Sequence, residues 1–108
     1  MRESDRIDAI FSALANPARR EIVSLLAHGR RPVHELAAHF DMTRPSVSEH
    51  LRVLKDAGLV SEVRAGRERL YSLEVQPLRE LRAWVDVFDD FWSGKMAELR
   101  AVLDEDAP

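Results

Sequence analysis

The sequence predicts a mainly α-helical domain that carries a single two-stranded β-hairpin. Apolar residues recur every three or four positions over most of the chain, which is the period of an amphipathic helix. Residues 59–73 depart from that period and place short apolar runs on both sides of a glycine, which is typical of a hairpin. No repeat or low-complexity tract divides the 108 residues, so we expect one domain over 1–108.

Three helices are predicted before residue 41. The first runs from Ser4 to Leu14, with apolar residues at the i, i+3, i+4 and i+7 positions: Ile7, Ile10, Phe11 and Leu14. Asn16 and Pro17 predict the N-cap and first position of a second helix that continues to about Ala27. Residues 33–40 predict a short third helix whose inward side chains are Val33, Leu36, Ala37 and Phe40.

Basic residues lie near both ends of the second helix. We interpret Arg19 and Arg20, close to its start, as solvated side chains rather than phosphate contacts. The segment after its end, residues 30–32, contains two arginines and a proline and is predicted to be a loop.

A fourth helix is predicted from Thr43, a good N-cap, to the residues before Gly58, which suits a C-terminal stop. Pro45 is tolerated in its first turn. One face is apolar (Val47, Leu51, Leu54), and the opposite face carries Arg44, Ser48, Arg52 and Lys55. Short polar groups and cations on one face suit a DNA groove, although an ordinary solvated surface is the alternative.

The hairpin is predicted from two short strands, Leu59–Val63 and Leu70–Leu73, joined by a tip at residues 64–69. Gly66 permits the positive φ that a tight turn requires. The tip holds Arg64, Arg67 and Arg69 against one glutamate, a composition that favours contact with a DNA backbone. A solubilising loop is the alternative interpretation.

Two helices joined by the short turn Asp41-Met42, followed by a basic hairpin, are the order of a winged helix-turn-helix. We therefore predict a DNA-binding transcriptional regulator, most simply a repressor, with double-stranded DNA as its partner. Arg44, Ser46 and Ser48 are the candidates for reading bases, Arg52 and Lys55 for phosphate, and the hairpin arginines for the backbone or minor groove. The full candidate set is Arg44, Pro45, Ser46, Ser48, Glu49, Arg52, Lys55, Arg64, Arg67 and Arg69.

The net charge of −3 conceals an asymmetry that supports this interpretation. Residues 19–69 contain ten basic and seven acidic side chains, whereas residues 70–108 contain four basic and nine acidic ones. The acids are therefore concentrated away from the predicted DNA-binding face.

A long last helix is predicted over 77–103, where apolar residues step by three or four and aromatic ones widen the stripe. Such a helix spans about 40 Å, more than a domain of this size covers by itself. The simplest partner is a second copy, which would place two recognition helices on a pseudo-palindromic site. Packing back on its own core, or binding a different protein, are the alternatives. The predicted dimer interface comprises Ile7, Phe11, Leu81, Trp84, Val85, Phe88, Phe91, Trp92 and Leu99.

Several classes of function are disfavoured by composition. The chain has no cysteine, no apolar run of about 18 residues and no apolar segment in MRESDRID, so we expect a cytoplasmic protein that does not enter a membrane. It has neither a G-x-S-x-G motif nor a phosphate-binding glycine loop, and Ser46, Ser48 and His50 share one helix without a third orienting group. We therefore do not expect an enzyme.

Four segments resemble the ArsR/SmtB family of bacterial repressors: in order, FSALANPARREIVSLL, VHELAAHF, SVSEHLRVLKDAGLV and RAGRERLYSL. The resemblance covers residues 7–73, and SEHLRVLKDAGLV followed by a basic R-x-G-R-x-x-x-Y is fairly specific. It implies a homodimeric winged-helix repressor whose first and last helices form the dimer. It also implies release from DNA when an effector, often a metal ion, binds.

The metal-sensing part of the resemblance does not carry over. Thiolate-sensing members have cysteines at the start of the third helix, where this chain has Pro32 and His34. Zinc-type members have histidines on the last helix, where this chain has only acids, at Asp86, Asp89, Asp90 and Glu98. The four histidines are scattered (His28, His34, His39, His50), so we predict no metal site and no cofactor. The chain is more similar to the metal-independent members. A metal-responsive repressor and a winged-helix protein-interaction module stay as alternatives.

Overall fold

A computed structural model of the chain describes residues 2–105, so the ends of the predicted 1–108 domain lie outside the described residues. Its elements are, in order, α1 (Glu3–Leu14), α2 (Pro17–Leu26), β1 (Arg31–Pro32), α3 (Val33–Phe40), α4 (Arg44–Asp56), β2 (Val60–Ala65), β3 (Glu68–Leu73), α5 (Val75–Asp86) and α6 (Asp89–Glu105). The predicted fold class is confirmed, with one additional strand and with the last helix divided in two.

The helix-start signals in the sequence act as expected. The Arg19 backbone N–H donates to the Asn16 side-chain oxygen at 3.2 Å, and Pro17 occupies the first turn of α2. The Ser46 backbone N–H donates to the Thr43 hydroxyl oxygen at 3.3 Å at the start of α4. These contacts satisfy backbone donors that have no partner inside the helix, and they fix where α2 and α4 begin.

The core lies under α4. Its three stripe residues, Val47, Leu51 and Leu54, are fully buried against α1, α2, α3 and the sheet. Ile10, Ile22, Leu36, Leu59 and Tyr71 complete that core. Because the buried stripe fixes the rotation of α4 about its axis, the opposite face of the helix is held toward solvent.

The prediction of a loop over 30–32 is wrong for its last two residues. Arg31 and Pro32 form a short strand that pairs antiparallel with β3, so the sheet has three strands in the order β1-β3-β2. Two residues are too few to show a strand pattern, and it is the available edge of β3 that makes them extended. The pairing connects the start of α3 directly to the hairpin.

The hairpin is also more regular than predicted. β2 and β3 extend to Ala65 and Glu68, so the connection is the two-residue turn Gly66-Arg67 rather than a six-residue tip. Gly66 has φ 63°, a conformation that favours glycine and suits the twist of a tight hairpin. Arg64 and Arg69 consequently belong to the strands and lie opposite each other.

The predicted single helix over 77–103 is wrong. α5 begins at Val75, and the helix is interrupted at Val87 and Phe88 before α6 starts at Asp89. Valine and phenylalanine are weak helix formers, and the acids at 89 and 90 are favoured in the first turn of a new helix. The Cα radius of gyration is 19.2 Å, against about 13 Å for a compact domain of this length, because α6 extends from the body. None of the described helices is long and apolar enough to cross a membrane.

Arg19 and Arg20 are not merely solvated, contrary to expectation. The Arg19 Nε donates to the Ala13 carbonyl oxygen at 2.6 Å, and an Arg20 guanidinium nitrogen donates to the Leu14 carbonyl oxygen at 2.8 Å. The last carbonyls of α1 have no helical partner, and α2 starts only three residues later, so its arginines reach them. The two arginines therefore hold α1 and α2 together.

Candidate nucleic-acid interface

The exposed face of α4 and the hairpin meet at one groove. Arg44 and Ser48 of α4 line it from one side, and the hairpin residues Arg64, Arg67, Glu68 and Arg69 line it from the other. The groove has a volume of about 320 Å³, and Pro32, Val33 and His34 complete its wall. Two sets of residues that were predicted separately from the sequence are thus brought together by the fold.

His34 is the groove residue that sequence reasoning missed. It was considered only as a metal ligand, whereas it lies in the first turn of α3 and lines the groove with the arginines. No linear pattern connects residue 34 to residues 64–69. The connection comes from β1, which pairs with β3 next to the start of α3.

Four groove arginines have their charge available. Within residues 2–105, Arg44, Arg64, Arg67 and Arg69 make no ion pair and no side-chain hydrogen bond. A guanidinium that has no carboxylate partner presents all its donors to a phosphate. These residues form what we call the free-arginine set.

Arg64 and Arg69 face each other directly across the β2–β3 ladder. Residues opposite one another in a ladder share a face of the sheet, so two like charges are adjacent and weaken the pairing. This face continues from the core pair Val60 and Leu73, which makes the arginines point to the side of the sheet on which α4 lies. The arrangement costs stability and concentrates positive charge beside the helix.

Arg52 differs from this set, because acids of its own helix bind it. Its guanidinium nitrogens lie 2.6 Å from a Glu49 carboxylate oxygen and 3.1 Å from an Asp56 one. The hydrogen bond and charge of Arg52 lower the pKa of Glu49, and the same contact raises the pKa of Arg52. Two predicted DNA-contact residues, Glu49 and Arg52, are therefore bound to each other and offer little net charge.

Lys55 is bound across elements rather than along its helix. Its Nζ donates to a Glu62 carboxylate oxygen of β2 at 2.8 Å. The Lys55 hydrogen bond lowers the pKa of Glu62, and that carboxylate raises the pKa of Lys55. Lys55 lies on the predicted face of α4, but its ammonium group points to the hairpin.

The first turn of α4 combines capping and exposure. The Thr43 hydroxyl donates to the Ser46 hydroxyl oxygen at 3.1 Å, so the side chain of Ser46 takes part in the cap. Pro45 and Ser48 are exposed. His50 instead turns inward, where its Nδ1 lies 3.4 Å from a guanidinium nitrogen of Arg19.

Part of the predicted dimer surface is already covered by contacts within a single chain. The Phe11 ring of α1 packs edge-on against Trp84 of α5 at 5.1 Å between centroids, and Trp84 contacts Phe88 in the same way. Ile7 and Leu81 are half-buried and pack on the core. The other predicted interface residues stay more than half exposed: Val85, Phe91, Trp92 and Leu99.

The exposed apolar surface continues along α6. Met96, Val102 and Leu103 are between 54 and 61% exposed and extend the stripe that Phe91 and Trp92 begin. Monomeric proteins rarely keep so many large apolar side chains in water, so a partner is expected here. As for metal sites, no three His, Asp or Glu side chains come together among residues 2–105 in a way that could hold an ion.

Comparison with known proteins identifies the family. Residues 16–62 match the family described as "Bacterial regulatory protein, arsR family". The HTH-type transcriptional regulator Rv2034 of Mycobacterium tuberculosis is 40% identical over 99 residues, which are 92% of this chain and 90% of that protein. The chain belongs to the ArsR family.

Other transcriptional regulators are similar to this chain in sequence or in fold. The transcriptional repressor SdpR of Bacillus subtilis is 37% identical over 76 residues, 70% of this chain and 84% of that protein. A solution structure of a homodimeric winged helix-turn-helix DNA-binding domain from Mycobacterium bovis has a TM-score of 0.66 and 35% identity, with 80% of each chain covered. The predictions of a winged helix-turn-helix and of a transcriptional regulator are therefore confirmed for this ArsR-family chain.

Proposed function

We propose that this ArsR-family chain is a homodimeric transcriptional repressor that binds a pseudo-palindromic DNA duplex through the groove between α4 and the hairpin. In the proposal, α4 enters the major groove with Arg44 and Ser48 near base edges. The hairpin arginines lie along the phosphate backbone or in the minor groove. His34 is added to the predicted contacts because it lines the same groove.

The free-arginine set is the observation that carries this proposal. Four unpaired guanidinium groups from two elements lie at one groove of the described chain, and two of them oppose each other in the ladder. The packing of the domain gains nothing from this repulsion. A polyanion would neutralise the charges, and release of its counterions would drive binding.

Fewer residues of α4 are proposed to contact DNA than the sequence predicts. Arg52 and Lys55 were expected to reach phosphate, but both are engaged by carboxylates. A phosphate contact would have to replace those partners, so we propose Arg44 and the hairpin arginines as the principal phosphate and base contacts. Pro45 and Ser46 shape the first turn of the helix.

The proposed dimer uses α1 together with α5 and α6. Phe11, Trp84 and Phe88 already form one aromatic cluster, and Phe91 and Trp92 continue it in water. Burying such a surface against a second copy is favourable, and a two-fold axis presents two α4 helices to successive major grooves. The relative from Mycobacterium bovis is described as homodimeric, which supports the same arrangement.

We propose repression because a dimer bound at a promoter blocks access to that DNA. The relative SdpR is named as a transcriptional repressor, which supports the same role. A bound dimer occupies promoter DNA and excludes polymerase, so repression needs no catalytic step, and we propose that the protein acts in the cytoplasm, where bacterial DNA lies. A reporter gene whose promoter carries the selected site should be expressed less when the protein is present. An increase in expression would replace repression by activation and leave the DNA-binding proposal intact.

The deciding experiment is selection of duplexes from a random pool by the purified full chain, with its mass in solution measured by light scattering. We expect a dimer and an enriched sequence with two related half-sites. A monomer that binds no duplex at low salt would overturn the proposal and favour a protein-interaction module. Tight binding of zinc in calorimetry, with a change in DNA affinity, would favour a metal-responsive repressor.

Arg67→Ala tests the hairpin contact directly. Arg67 is at the turn, exposed and unpaired within the described chain, so its loss should leave the fold intact. We expect weaker binding to selected and random duplexes alike, with the slope of log K against log salt reduced by about 0.9 for each protomer. An unchanged slope would remove Arg67 from the interface.

A further inference from the structure

We propose that Lys55 and Glu62 form a positioning pair that sets the hairpin relative to α4 for DNA binding. Lys55 would then influence DNA affinity through Glu62 and not by contact with phosphate. The inference rests on the proposed function, because it concerns how the two halves of the DNA-binding groove are kept together. It reverses the role that the sequence predicts for Lys55.

The pair is the direct polar link between the two elements of the interface. Lys55 lies in the last turn of α4, and Glu62 lies in β2, with 2.8 Å between the Nζ and carboxylate oxygen atoms. Within residues 2–105, every other ion pair of α4 stays inside that helix. The apolar core holds the base of the hairpin and β1 pairs with β3 as far as Leu70, and the Lys55–Glu62 contact is the ion pair that joins the hairpin to α4 among the described residues.

The position of Glu62 along β2 explains why one contact matters. On the side of the sheet that α4 covers, three ladder pairs follow each other: Val60 with Leu73, Glu62 with Tyr71, and Arg64 with Arg69. The first pair belongs to the core and the third belongs to the groove. On that side of the sheet, Glu62 therefore contacts α4 one ladder pair before Arg64 and Arg69, which lie about 7 Å further along the hairpin.

The surroundings of Glu62 also favour Lys55 as its partner. Arg69 acts on the Glu62 carboxylate electrostatically, but the hydrogen bond from Lys55 is the largest influence on its pKa. Burial and the adjacent Glu62 carboxylate raise the pKa of Tyr71, the ladder partner of Glu62. Lys55 pairs with the Glu62 carboxylate, and among residues 2–105 neither Arg64 nor Arg69 forms an ion pair with it, so the charge of both arginines stays available to the groove.

The expected loss of DNA affinity is small, because both side chains of the pair are partly exposed to solvent. The side chains of Lys55 and Glu62 are 49% and 31% exposed, and partly exposed ion pairs are weak. Removing the pair should therefore weaken binding by about two- to fivefold, not by the much larger factor that loss of a whole interface would give. A change of this size is measurable by fluorescence anisotropy.

The test compares two double variants that keep the net charge of the chain. Lys55→Gln with Glu62→Gln removes the pair, and Lys55→Glu with Glu62→Lys restores it in the opposite direction. On the selected duplex, we expect the first to bind about two- to fivefold more weakly with an unchanged salt slope. We expect the second to bind like the parent chain. Thermal unfolding of both checks that the fold is kept.

A matched control is the pair Lys95 and Glu98 of α6, which is also exposed and lies outside the groove. Because the Lys95 ammonium group lies over the Phe91 ring of the proposed dimer surface, light scattering first checks that this control variant is still a dimer. Lys95→Gln with Glu98→Gln should leave DNA affinity unchanged at protein concentrations where the dimer persists. The inference is overturned if the exchanged pair loses affinity and its salt slope falls by about 0.9 per protomer, since Lys55 is then a phosphate ligand. It is also overturned if the neutral pair binds like the parent. Failure of the parent chain to bind any duplex would instead refute the proposed function.

Discussion

The opposed arginines of the hairpin lead to a prediction in which stability and binding change in opposite directions. Arg64→Gln removes one of two like charges that face each other across the β2–β3 ladder. Glutamine keeps most of the side-chain length and its compatibility with a strand, so the change is chiefly electrostatic. We expect the folded state to become more stable and the DNA complex to become weaker.

The stability gain is bounded by the ladder geometry. A directly opposed pair of like charges costs up to about 1 kcal/mol. Because Arg64 and Arg69 are both exposed, solvent screening places the gain near the lower end, about 0.2–0.5 kcal/mol. In a domain of about 100 residues this raises Tm by roughly 1–4 °C.

The binding loss is measured through its salt dependence. One phosphate contact contributes about 0.9 to the slope of log K against log salt, so a dimer that loses two contacts has a slope smaller by about 1.8. Between 50 and 200 mM salt, the affinity of the variant should therefore fall about twelvefold less than that of the parent. The assay is a titration of a labelled 40-bp duplex at several salt concentrations, together with thermal unfolding at one protein concentration.

Arg100→Gln is the matched control, because it removes the same charge from α6, which contributes no residue to the groove. It separates contact with phosphate from the general effect of net charge. A lower Tm of Arg64→Gln would contradict this prediction, because Arg64 would then stabilise the hairpin. Equal salt slopes for Arg64→Gln and Arg100→Gln would contradict it as well, because Arg64 would then make no phosphate contact.

Three other predictions follow from the same structure. Ser48→Ala should change which sequence a selection enriches, because Ser48 lines the groove on the helix side; an unchanged consensus would show that it reads no base. Trp92→Glu should weaken the dimer at least about 30-fold without unfolding the protomer, because the Trp92 side chain is 62% exposed. Light scattering measures the dimer and circular dichroism measures the fold. An intact dimer would contradict the proposed interface. Lys55 lowers the pKa of Glu62, so the contribution of this pair is present above the ordinary pKa of a glutamate and is lost as pH falls through the lower folded-state value. The Glu62→Gln variant should therefore lose less stability on acidification than the parent, and identical acid unfolding curves would refute that expectation.

Much of the candidate interface was predictable because it depends on local patterns. The apolar stripe of α4 fixes which residues face outward, and Gly66 fixes where the hairpin turns, so Arg44, Ser48 and the hairpin arginines follow from spacing alone. The partners of Arg52 were also within reach, because Glu49 and Asp56 lie three residues before and four after it, where helical side chains meet. The sequence interpretation used the charge of Arg52 without its neighbours.

Two of the errors concern contacts between segments distant in the chain. The strand at residues 31–32 forms because it pairs with the edge of β3. Two residues are too few for the sequence to predict such pairing. The same pairing brings His34 to the groove. The division between α5 and α6 depends on a small loss of helix propensity at Val87 and Phe88, which a regular apolar spacing concealed.

The order of the first four helices and the hairpin, the buried face of each of those helices, the positive charge near the hairpin turn and the family resemblance could all be predicted from the sequence. These features depend on side-chain period, capping and composition, which act within a few residues. Which cations are available depends instead on the three-dimensional fold. The fold pairs Lys55 with Glu62 across two elements, places Arg44 and Arg69 at one groove without a carboxylate partner among residues 2–105, and leaves the aromatic side chains of α6 in water. Charge pairing and burial depend on distances in space, and the fold sets those distances.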